Sequence, residues 1–586
     1  MKNYGYIGKI LRVNLNNKDI SEESLSKDLR DDYLGGSGIG SKILYDELPE
    51  KTPPLSPENI LIFMTGPLTG TNVIMTGRHT VIAKSPLTDI LGYSSCGGYF
   101  GHELKCAGYD GIIIKGASED PLFLEINNGQ AEIHNATDLW GKTVSEVKKF
   151  VEHELEANYF SAIGPAGEKL INIAGIVDAD FRNAGRCGLG AVMGSKKLKF
   201  IAVKGDSEPE VQDPEGIKEL NKKLIKDAKQ NFVKKMLLDN YKKFGTSALF
   251  GISSVIGNVG MKNWQLRMWK EYPKIQGQTL NEKYVDKTYG CYRCVIRCGR
   301  VLKDGKHGPE YETLGTLGSM CLNSDLESII EMNNKCNDMG IDTISVGCIL
   351  SFIMECSEKG LLDEKVEWGD SEKMKRLLDE ICEQSTERSK LLSKGVARIS
   401  QEIPNSEDFA FHVKGMEMPM HDPRTGMDLA YGTASRGADH LQGQTLTKML
   451  PLPALNITIL TSKAEYLKIQ QDWNAILDSA CFCKFGIEPQ GPIDVVCVPE
   501  YLNLAIGSEK EYTIERLMTI GERIFNLHRL FGIREKTITT DDDKVQPRFL
   551  KKNPRYDSEL REYYRKRNWD RNGIPKKSLL TTLNLV

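Results

Sequence analysis

Residues 209–245, PEVQDPEGIKELNKKLIKDAKQNFVKKMLLDNYKKFG, mark a change from strand-like to helix-like sequence. Apolar residues recur there at helical spacing, with lysines on the other face. Before this stretch, short β-branched or alternating runs separated by Gly, Pro and Asn predict strands at 58–66, 77–85, 111–116 and 121–135. Asn127-Asn128-Gly129 predicts a hairpin turn. A domain boundary near residue 209 follows.

Helical patterns dominate from there to the C-terminus, as at 326–340, 371–385, 462–482 and 513–532. Because helices follow strands instead of alternating with them, the pattern favours an α+β fold with segregated layers over a doubly wound sheet. We predict a β-rich domain at 1–208, a mainly helical domain at 209–415 and a mainly helical domain at 416–586.

Size and charge narrow the class of protein. With 586 residues and 40% hydrophobic side chains, the chain can bury a large site. The net charge of −3 and the lack of a nucleic-acid-reading motif argue against nucleic acid as a partner. Neither a signal peptide nor a membrane span is evident, which predicts a cytoplasmic protein.

Most of the scattered cysteines should be thiols, and no chemical role is assigned to Cys336, Cys348, Cys356 and Cys382.

The cysteine run Cys291-Tyr-Arg-Cys294-Val-Ile-Arg-Cys298 carries the most specific chemical signal. Three thiolates at this spacing can bind three irons of a [4Fe–4S] cluster, so a fourth ligand must come from elsewhere. A redox C-x2-C would leave the third cysteine superfluous, and a zinc site more often shows two spaced pairs. The segment 478–486 offers Cys481 and Cys483, and the residues alone do not separate them.

These residues resemble the aldehyde ferredoxin oxidoreductases, over essentially the whole chain. The family holds tungsten, or molybdenum, on two pterin dithiolenes beside a [4Fe–4S] cluster. Its distant cysteine closes a D-x-x-G-L-C-like motif, and Asp478…Cys483 has that spacing, which selects Cys483 as the fourth ligand. Cys481 and Phe482 stand where Gly and Leu are usual, and cysteine changes the backbone freedom at that point.

The resemblance also implies the pterin-binding residues. The family's D-x-x-G-L-D motif corresponds to residues 337–342, with Asn337 in place of the first Asp and Asp342 as the second. Gly340 there equally fits a helix C-cap. Glycines and arginines in three N-terminal segments suit phosphate groups bridged by magnesium. Ser95 stands where relatives often have Asn. The implied cofactor-binding residues are Arg78, Ser95, Gly97, Gly98, Arg182, Gly185, Arg186, Asn337, Asp342, Asp478 and Phe482. The seven of these residues that lie in the N-terminal segments make residues 1–208 the expected pterin platform.

The implied catalytic residues are Glu312, as general base, and His440, which contacts the substrate carbonyl. Glu310 is the neighbouring acid, and Gln442 stands where a basic residue is expected. A helical E-x-x-H, which in some members holds an iron between subunits, is missing: Glu331 is followed by residues Met-Asn-Asn. A homodimer would therefore form without a bridging iron.

The reaction implied is oxidation of a small aldehyde to a carboxylic acid, or its reversal, with electrons passing through the cluster to ferredoxin or a ferredoxin-like subunit. A second hypothesis is the metal–pterin subunit of a benzoyl-CoA reductase, which would reduce an aromatic ring with partner subunits. A third is a noncatalytic iron–sulfur carrier. Two phosphate-binding regions argue against the carrier.

Overall fold

The computed structural model describes residues 3–155, 157, 159–444, 461–487 and 491–586. Within these ranges, no helix is long and apolar enough to cross a bilayer. Two six-stranded sheets form the N-terminal part, and helices make up most of the rest. The predicted α+β arrangement is confirmed. The three predicted domain boundaries stay predictions.

The first sheet has the strand order β2-β1-β6-β3-β4-β5. Its strands are β1 Lys9–Asn14, β2 Asp19–Ser24, β3 Leu61–Thr65, β4 His79–Lys84, β5 Leu91–Cys96 and β6 Gly111–Lys115. The apolar runs at 58–66, 77–85 and 111–116 become β3, β4 and β6, as predicted. β3 pairs antiparallel with β4, and β4 pairs antiparallel with β5, whereas β1 and β6 are parallel.

The second sheet has the order β11-β10-β9-β12-β7-β8. Its strands are β7 Leu122–Asn127, β8 Gln130–Asn135, β9 Tyr159–Ala162, β10 Ile176–Asp178, β11 Asn183–Ala184 and β12 Leu198–Lys204. The predicted hairpin is present, because Asn127 pairs with Gln130. Asn128 and Gly129 have φ values of 49° and 85°, the left-handed conformation that this tight turn requires.

Six helices in the N-terminal part were not predicted. They are α1 Lys27–Tyr33, α2 Gly36–Glu47, α3 Phe100–Cys106, α4 Val144–Glu154, α5 Pro165–Glu168 and α6 Leu189–Ser195. Most are short, and α2 and α6 are rich in glycine and buried on several sides, so they lack the amphipathic pattern of a surface helix. Their packing against the sheets stabilises them more than their own sequence does.

The long predicted helices form. The stretch 209–245 gives two helices, because Asn231 ends the first and its side chain accepts a hydrogen bond from Lys234 N at the start of the second. The helices are α7 Pro214–Gln230, α8 Phe232–Phe244, α9 Phe250–Val255, α10 Gly277–Lys283, α11 Tyr311–Thr316, α12 Leu326–Met339, α13 Thr343–Glu358, α14 Ser371–Glu383, α15 Glu387–Leu392, α16 Val396–Glu402, α17 Asp428–Thr433, α18 Lys463–Ser479, α19 Lys484–Ile487, α20 Cys497–Ile506, α21 Ile514–Lys536, α22 Pro547–Leu550, α23 Tyr556–Lys566 and α24 Lys577–Thr582. Two short hairpins complete the fold: β13 Val285–Tyr289 with β14 Gly299–Leu302, and β15 His412–Val413 with β16 Met416–Glu417.

One continuous apolar cluster joins the two large sheets. Phe63 and Ile112 of the first sheet lie in it together with Leu124 and Ile201 of the second. Cys336, Cys348, Cys356 and Cys382 are also buried in this cluster, as expected for cysteines that act as small hydrophobic residues. The ends of β4 and β5 and the loops beyond them carry residues from this rigid base to the candidate site.

Candidate active site

A cavity of about 430 Å³ opens where the N-terminal sheets meet the helical part of the chain. Its lining comes from three stretches, 75–186, 241–344 and 421–491. Each predicted domain therefore contributes to it, and the cavity is not confined to the first 208 residues. Of the predicted site residues, Gly98 alone is not part of the lining.

The cysteine run lies on the loop between β13 and β14. Arg293 and Arg297 adopt φ values of 51° and 54°, which curl the loop tightly. Cys291, Cys294 and Cys298 all line the cavity, and each is half-buried. A loop of this shape brings three thiols to one side, as a cluster site needs.

Cys483 reaches the same cavity from the far end of the chain, where its backbone N–H donates to Met75 O at 2.8 Å. Cys481 is fully buried elsewhere, with its thiol against the Gly36 backbone of α2. Its φ of 59° is the left-handed conformation that a glycine there would adopt freely. The geometry thus separates the two thiols that the residues alone left undivided.

Two buried arginines contact the cysteines. Arg78 Nη2 lies 3.6 Å from Cys483 Sγ, and Arg182 Nη2 lies 3.8 Å from Cys298 Sγ. Burial raises the pKa of Cys294 to about 12 and that of Cys298 to about 11, so without a cation both stay protonated. Thiolates would form here on binding a metal, and the arginines would stabilise their charge.

The glycine and arginine segments surround the cavity. Arg78 Nη1 donates to Ser95 O at 3.3 Å and contacts Ser95 Oγ at 3.4 Å. A Cβ on Gly97 would lie 2.7 Å from Cys291 Sγ, so a larger residue does not fit. Gly98 adopts φ 107° and its carbonyl accepts from Tyr292 N at 3.1 Å. Gly98 therefore shapes the loop instead of lining the cavity.

Asn337 lies in the last turn of α12, and Asp342 directly precedes α13. Between them, Gly340 takes the left-handed C-cap conformation. Asp342 caps α13, accepting from Ser345 N at 3.2 Å, and its carboxylate lies 3.3 Å from Arg186 Nε. The Asp342 carboxylate is thus already engaged with protein groups. Asn337 lines the cavity with its side chain half-buried.

Asp478 and Phe482 form the wall beside Cys483. Asp478 Oδ2 lies 2.8 Å from Lys484 Nζ, an ion pair that sequence reasoning did not predict. The Tyr93 hydroxyl is 3.5 Å from the same oxygen. Gln442, at the expected basic position, donates to the Tyr93 hydroxyl at 2.6 Å, so it belongs to this polar wall.

The cavity fits an anionic, phosphate-bearing cofactor. Arg78 Nε and Arg182 Nε are buried and find no hydrogen-bond partner within the described ranges. Unpaired buried guanidinium donors are costly, and phosphate oxygens would satisfy them. Arg186 and Gly185 extend this donor-rich wall, whereas the cysteines supply soft ligands at one end. The residues present therefore fit a metal–pterin and an iron–sulfur cluster side by side.

Glu312 and His440 lie at the other end of the cavity. Glu312 sits in the first turn of α11, where its Oε2 accepts from Met420 N at 2.9 Å. His440 Nε2 lies 3.7 Å from Glu312 Oε1. Burial raises the pKa of Glu312 to about 7 and lowers that of His440 to about 3. At neutral pH the histidine is neutral and the carboxyl group is close to its titration midpoint.

Glu310 differs from Glu312 although it is two residues away. It precedes α11, its side chain is 51% exposed, and it pairs with Arg182 at 2.8 Å. The helix begins between the two acids and turns only Glu312 toward His440.

Sequence reasoning missed His421. One ligand-type atom each from Glu312, His421 and His440 lies within 4.8 Å of the others. The His421 ring stacks on Tyr311 and meets the His440 ring at a centroid distance of 5.1 Å. Burial lowers its pKa to about 4. Its only sequence signal is the run His-Asp-Pro-Arg, directly after the methionine-rich residues 416–420.

Comparison with known proteins identifies the relatives of this chain. The N-terminal domain of aldehyde ferredoxin oxidoreductase matches residues 10–205, and its domains 2 and 3 match residues 219–585. Tungsten-containing aldehyde ferredoxin oxidoreductases of Thermococcus kodakarensis and Pyrococcus furiosus are each 35% identical, covering 98% of both chains. The aliphatic sulfonate oxidoreductase, WOR-like subunit, of Pyrococcus furiosus is 30% identical, over 99% of this chain and 97% of its own.

A solved structure shares the fold. The active-site complex BamBC of benzoyl-coenzyme A reductase with 1,5-dienoyl-CoA superposes with a TM-score of 0.82 at 26% identity, covering 100% of this chain and 97% of that chain. With both family segments matched and whole-length relatives at 35% identity, the chain belongs to the aldehyde ferredoxin oxidoreductase family of oxidoreductases.

Proposed function

We propose that this protein oxidises an aldehyde to a carboxylic acid at a tungsten- or molybdenum-pterin centre and passes the electrons through a [4Fe–4S] cluster to ferredoxin. The observation that carries the proposal is the group of Glu312, His421 and His440, which faces the cavity lined by the four cysteines. Two relatives at 35% identity are tungsten-containing aldehyde ferredoxin oxidoreductases, which supports it.

The cofactors would be held by different ends of the cavity. Cys291, Cys294, Cys298 and Cys483 would bind the cluster. The cofactor-binding residues that the family resemblance implies would hold the pterins. Among them, Arg78 and Arg182 would be the main anion donors, and Gly98 would act by shaping its loop. Magnesium would be held near Ser95, where it would neutralise phosphate charge. When bound, the metal–pterin group supplies the two-electron oxidation.

The overall change is RCHO + H₂O → RCOO⁻ + 3H⁺ + 2e⁻. Glu312, in its deprotonated form, accepts a proton from the water that adds to the aldehyde carbon, and later releases it to solvent. Neutral His440 donates one N–H hydrogen bond to the aldehyde oxygen as negative charge develops there. His421 packs against His440 and holds its ring in position.

Ferredoxin would receive the electrons near the cysteine loop. Arg293 and Arg297 are exposed on that loop, next to Cys294. Exposed positive charge close to a cluster would attract an acidic electron carrier and shorten the transfer distance. This is the surface feature that supports a ferredoxin-like partner.

A second candidate is reduction of an aryl-CoA thioester. The similarity to the BamBC complex, with a TM-score of 0.82, favours it as the alternative. In that case the same cavity would act on a CoA thioester and would need electron-supplying partner subunits.

Anaerobic purification followed by metal analysis and two assays tests the proposal. We expect tungsten or molybdenum together with about four irons per chain, and reduction of ferredoxin by aldehydes. Reduction of benzoyl-CoA without any aldehyde activity would replace the proposal by the second candidate. Four irons with neither tungsten nor molybdenum, in cells supplied with both, would instead indicate a noncatalytic carrier.

A further inference from the structure

A buried group of three metal-ligating side chains lies outside the cavity. His79, Cys96 and Asp178 are 1%, 1% and 2% exposed. One ligand-type atom from each lies within 4.8 Å of the other two. None of the three has a part in the reaction proposed above. The combination of imidazole, thiol and carboxyl group is unusual for an apolar interior, since each normally needs a partner there.

Backbone pairing brings these residues together from both sheets. His79 of β4 pairs with Cys96 of β5, so both side chains leave the same face of the first sheet. Asp178 of β10 pairs with Ser161 of β9 in the second sheet. The group therefore spans the interface between the two sheets, within their shared apolar core.

The Cys96 and Asp178 side chains share a hydrogen bond, but among the described residues His79 is left unsatisfied. Neither His79 ring nitrogen makes a hydrogen bond within the described part of the chain. The ring packs against Phe63 and Phe100, which offer no acceptor. Asp178 Oδ1 accepts from Ser161 Oγ at 2.7 Å, while Oδ2 lies 3.8 Å from His79 Nδ1. A buried imidazole must hide one N–H and one lone pair, so leaving both unbonded destabilises the fold.

We propose that His79, Cys96 and Asp178 bind a structural zinc ion that joins the two N-terminal sheets. Zinc accepts nitrogen, sulfur and oxygen ligands in a tetrahedron, and ligand atoms at its usual bond lengths lie roughly 3.2–3.7 Å apart. The 3.8 Å between His79 and Asp178 is close to that spacing. Ser161 orients the carboxylate from behind, as partners of metal ligands commonly do. Water takes the fourth position.

Charge supports the same assignment. Burial lowers the pKa of His79 to about 3, which leaves the ring neutral and free to coordinate. Burial also raises the pKa values of the Cys96 thiol and the Asp178 carboxyl group, because it disfavours their charged forms. Zn²⁺ would bind the deprotonated forms of both groups, and any proton that they carry would pass to solvent. The resulting Zn²⁺, thiolate and carboxylate together carry no net charge, which suits an apolar surrounding.

The zinc site would support the cofactor cavity from behind. A Cβ on Gly98 would lie 3.6 Å from Asp178 Oδ2, whereas a Cβ on Gly97 would touch Cys291 Sγ. The Gly97–Gly98 loop thus separates the proposed zinc site from the cysteine end of the cavity. The zinc is structural, and its existence does not depend on which reaction the cavity catalyses.

Zinc content of the purified holoenzyme tests the proposal. Protein produced in zinc-supplemented medium should retain about one zinc per chain after treatment with EDTA and gel filtration. Cys96→Ala and His79→Phe, the latter keeping an aromatic ring against Phe63 and Phe100, should each lower the zinc content at least tenfold. Cys321→Ala removes an equally buried thiol elsewhere in the core and should keep the zinc.

Zinc X-ray absorption on the unmutated protein decides the question if the variants do not fold. We expect one sulfur neighbour at about 2.3 Å and the remaining neighbours, nitrogen or oxygen, at about 2.0–2.1 Å. Less than about one zinc per ten chains would overturn the proposal. So would a zinc signal with no sulfur neighbour, or with three or four, since the latter would put zinc on the cysteines of the cavity.

Discussion

The two ends of the cavity differ in how far apart their residues lie in the sequence. The cysteine end contains a run of eight residues, 291–298, and the spacing of its three cysteines indicates an iron–sulfur site. The acid and histidine end brings together Glu312, His421 and His440, and the two histidines lie 109 and 128 residues after the acid in sequence. A metal site can be indicated by local spacing, whereas residues far apart in sequence are brought together only by the fold.

The two ends also differ in electrostatics. At the cysteine end, Arg78 and Arg182 contact Cys483 and Cys298, where they would stabilise thiolates on metal binding. At the other end, burial keeps Glu312, His421 and His440 near or in their neutral forms. One end is arranged to hold charge and the other to move a proton. The predictions below test this division.

The largest effect should come from Cys483→Ala. Loss of the fourth thiolate should leave the cluster incomplete, so we expect most of the iron and all ferredoxin-linked activity to be lost. Cys481→Ala, two residues earlier, is the matched control and should keep the cluster. Iron analysis and the EPR spectrum of the reduced protein measure both. A Cys483→Ala protein with unaltered iron and spectrum would show that the ligand lies elsewhere.

Glu312→Gln should keep the metals and lose aldehyde oxidation. An amide of the same shape cannot accept the proton from water, so we expect kcat to fall by about 10²–10⁴-fold. Glu310→Gln removes a half-exposed acid that is directed toward Arg182 and not toward His440, and kcat should change less than about threefold. The reverse pattern, with Glu310→Gln inactive and Glu312→Gln active, would refute the role of Glu312.

The pH dependence should follow the Glu312 carboxyl group. Its raised pKa of about 7 means that the base is protonated below that pH and becomes available above it. The ratio kcat/KM should therefore rise about tenfold from pH 6 to pH 8 and then level off. His421 and His440 are already neutral over this range and add no step. The residual activity of Glu312→Gln should not rise with pH in this range. If the rise in kcat/KM persists in this variant, it belongs to the titration of another group.

The smallest effect should come from His421→Phe. The Asn258 side-chain amide lies 3.1 Å from His421 Nδ1, and phenylalanine keeps the stacking on Tyr311 but loses this hydrogen bond. Losing about 1 kcal/mol of positioning corresponds to a fall in kcat of roughly fivefold. His412→Phe removes another imidazole that burial keeps neutral, outside the cavity, and should leave kcat unchanged. Equal kcat values for the two variants would exclude His421 from the site.

Much of the architecture could be predicted because its signals are local. The runs that become β3, β4 and β6 are short and β-branched, and Asn128-Gly129 is suited to a tight hairpin. The helix α2 could not be predicted in this way, since its GSGIGSK sequence forms a helix only through burial against neighbouring elements.

The candidate site shows the same limit. Choosing Cys483 over Cys481 from the residues alone failed because both follow one helix, and only the left-handed turn at Cys481 directs them apart. His421 was missed because a single histidine carries no spacing. Of the adjacent glycines Gly97 and Gly98, only Gly97 lines the cavity, and sequence does not tell which of two neighbouring glycines faces a cavity. The cofactor-binding role of Gly98 stays a prediction.

The stoichiometry of the reaction tests the central claim most directly. Purified holoenzyme should be incubated without oxygen with a simple aldehyde and an excess of oxidised ferredoxin, and the acid and the reduced ferredoxin should be measured together. Because the oxidation releases two electrons, we expect one carboxylic acid for every two one-electron equivalents taken up by ferredoxin. Aldehyde that remains unconsumed by protein carrying its full complement of tungsten or molybdenum and iron would contradict the account.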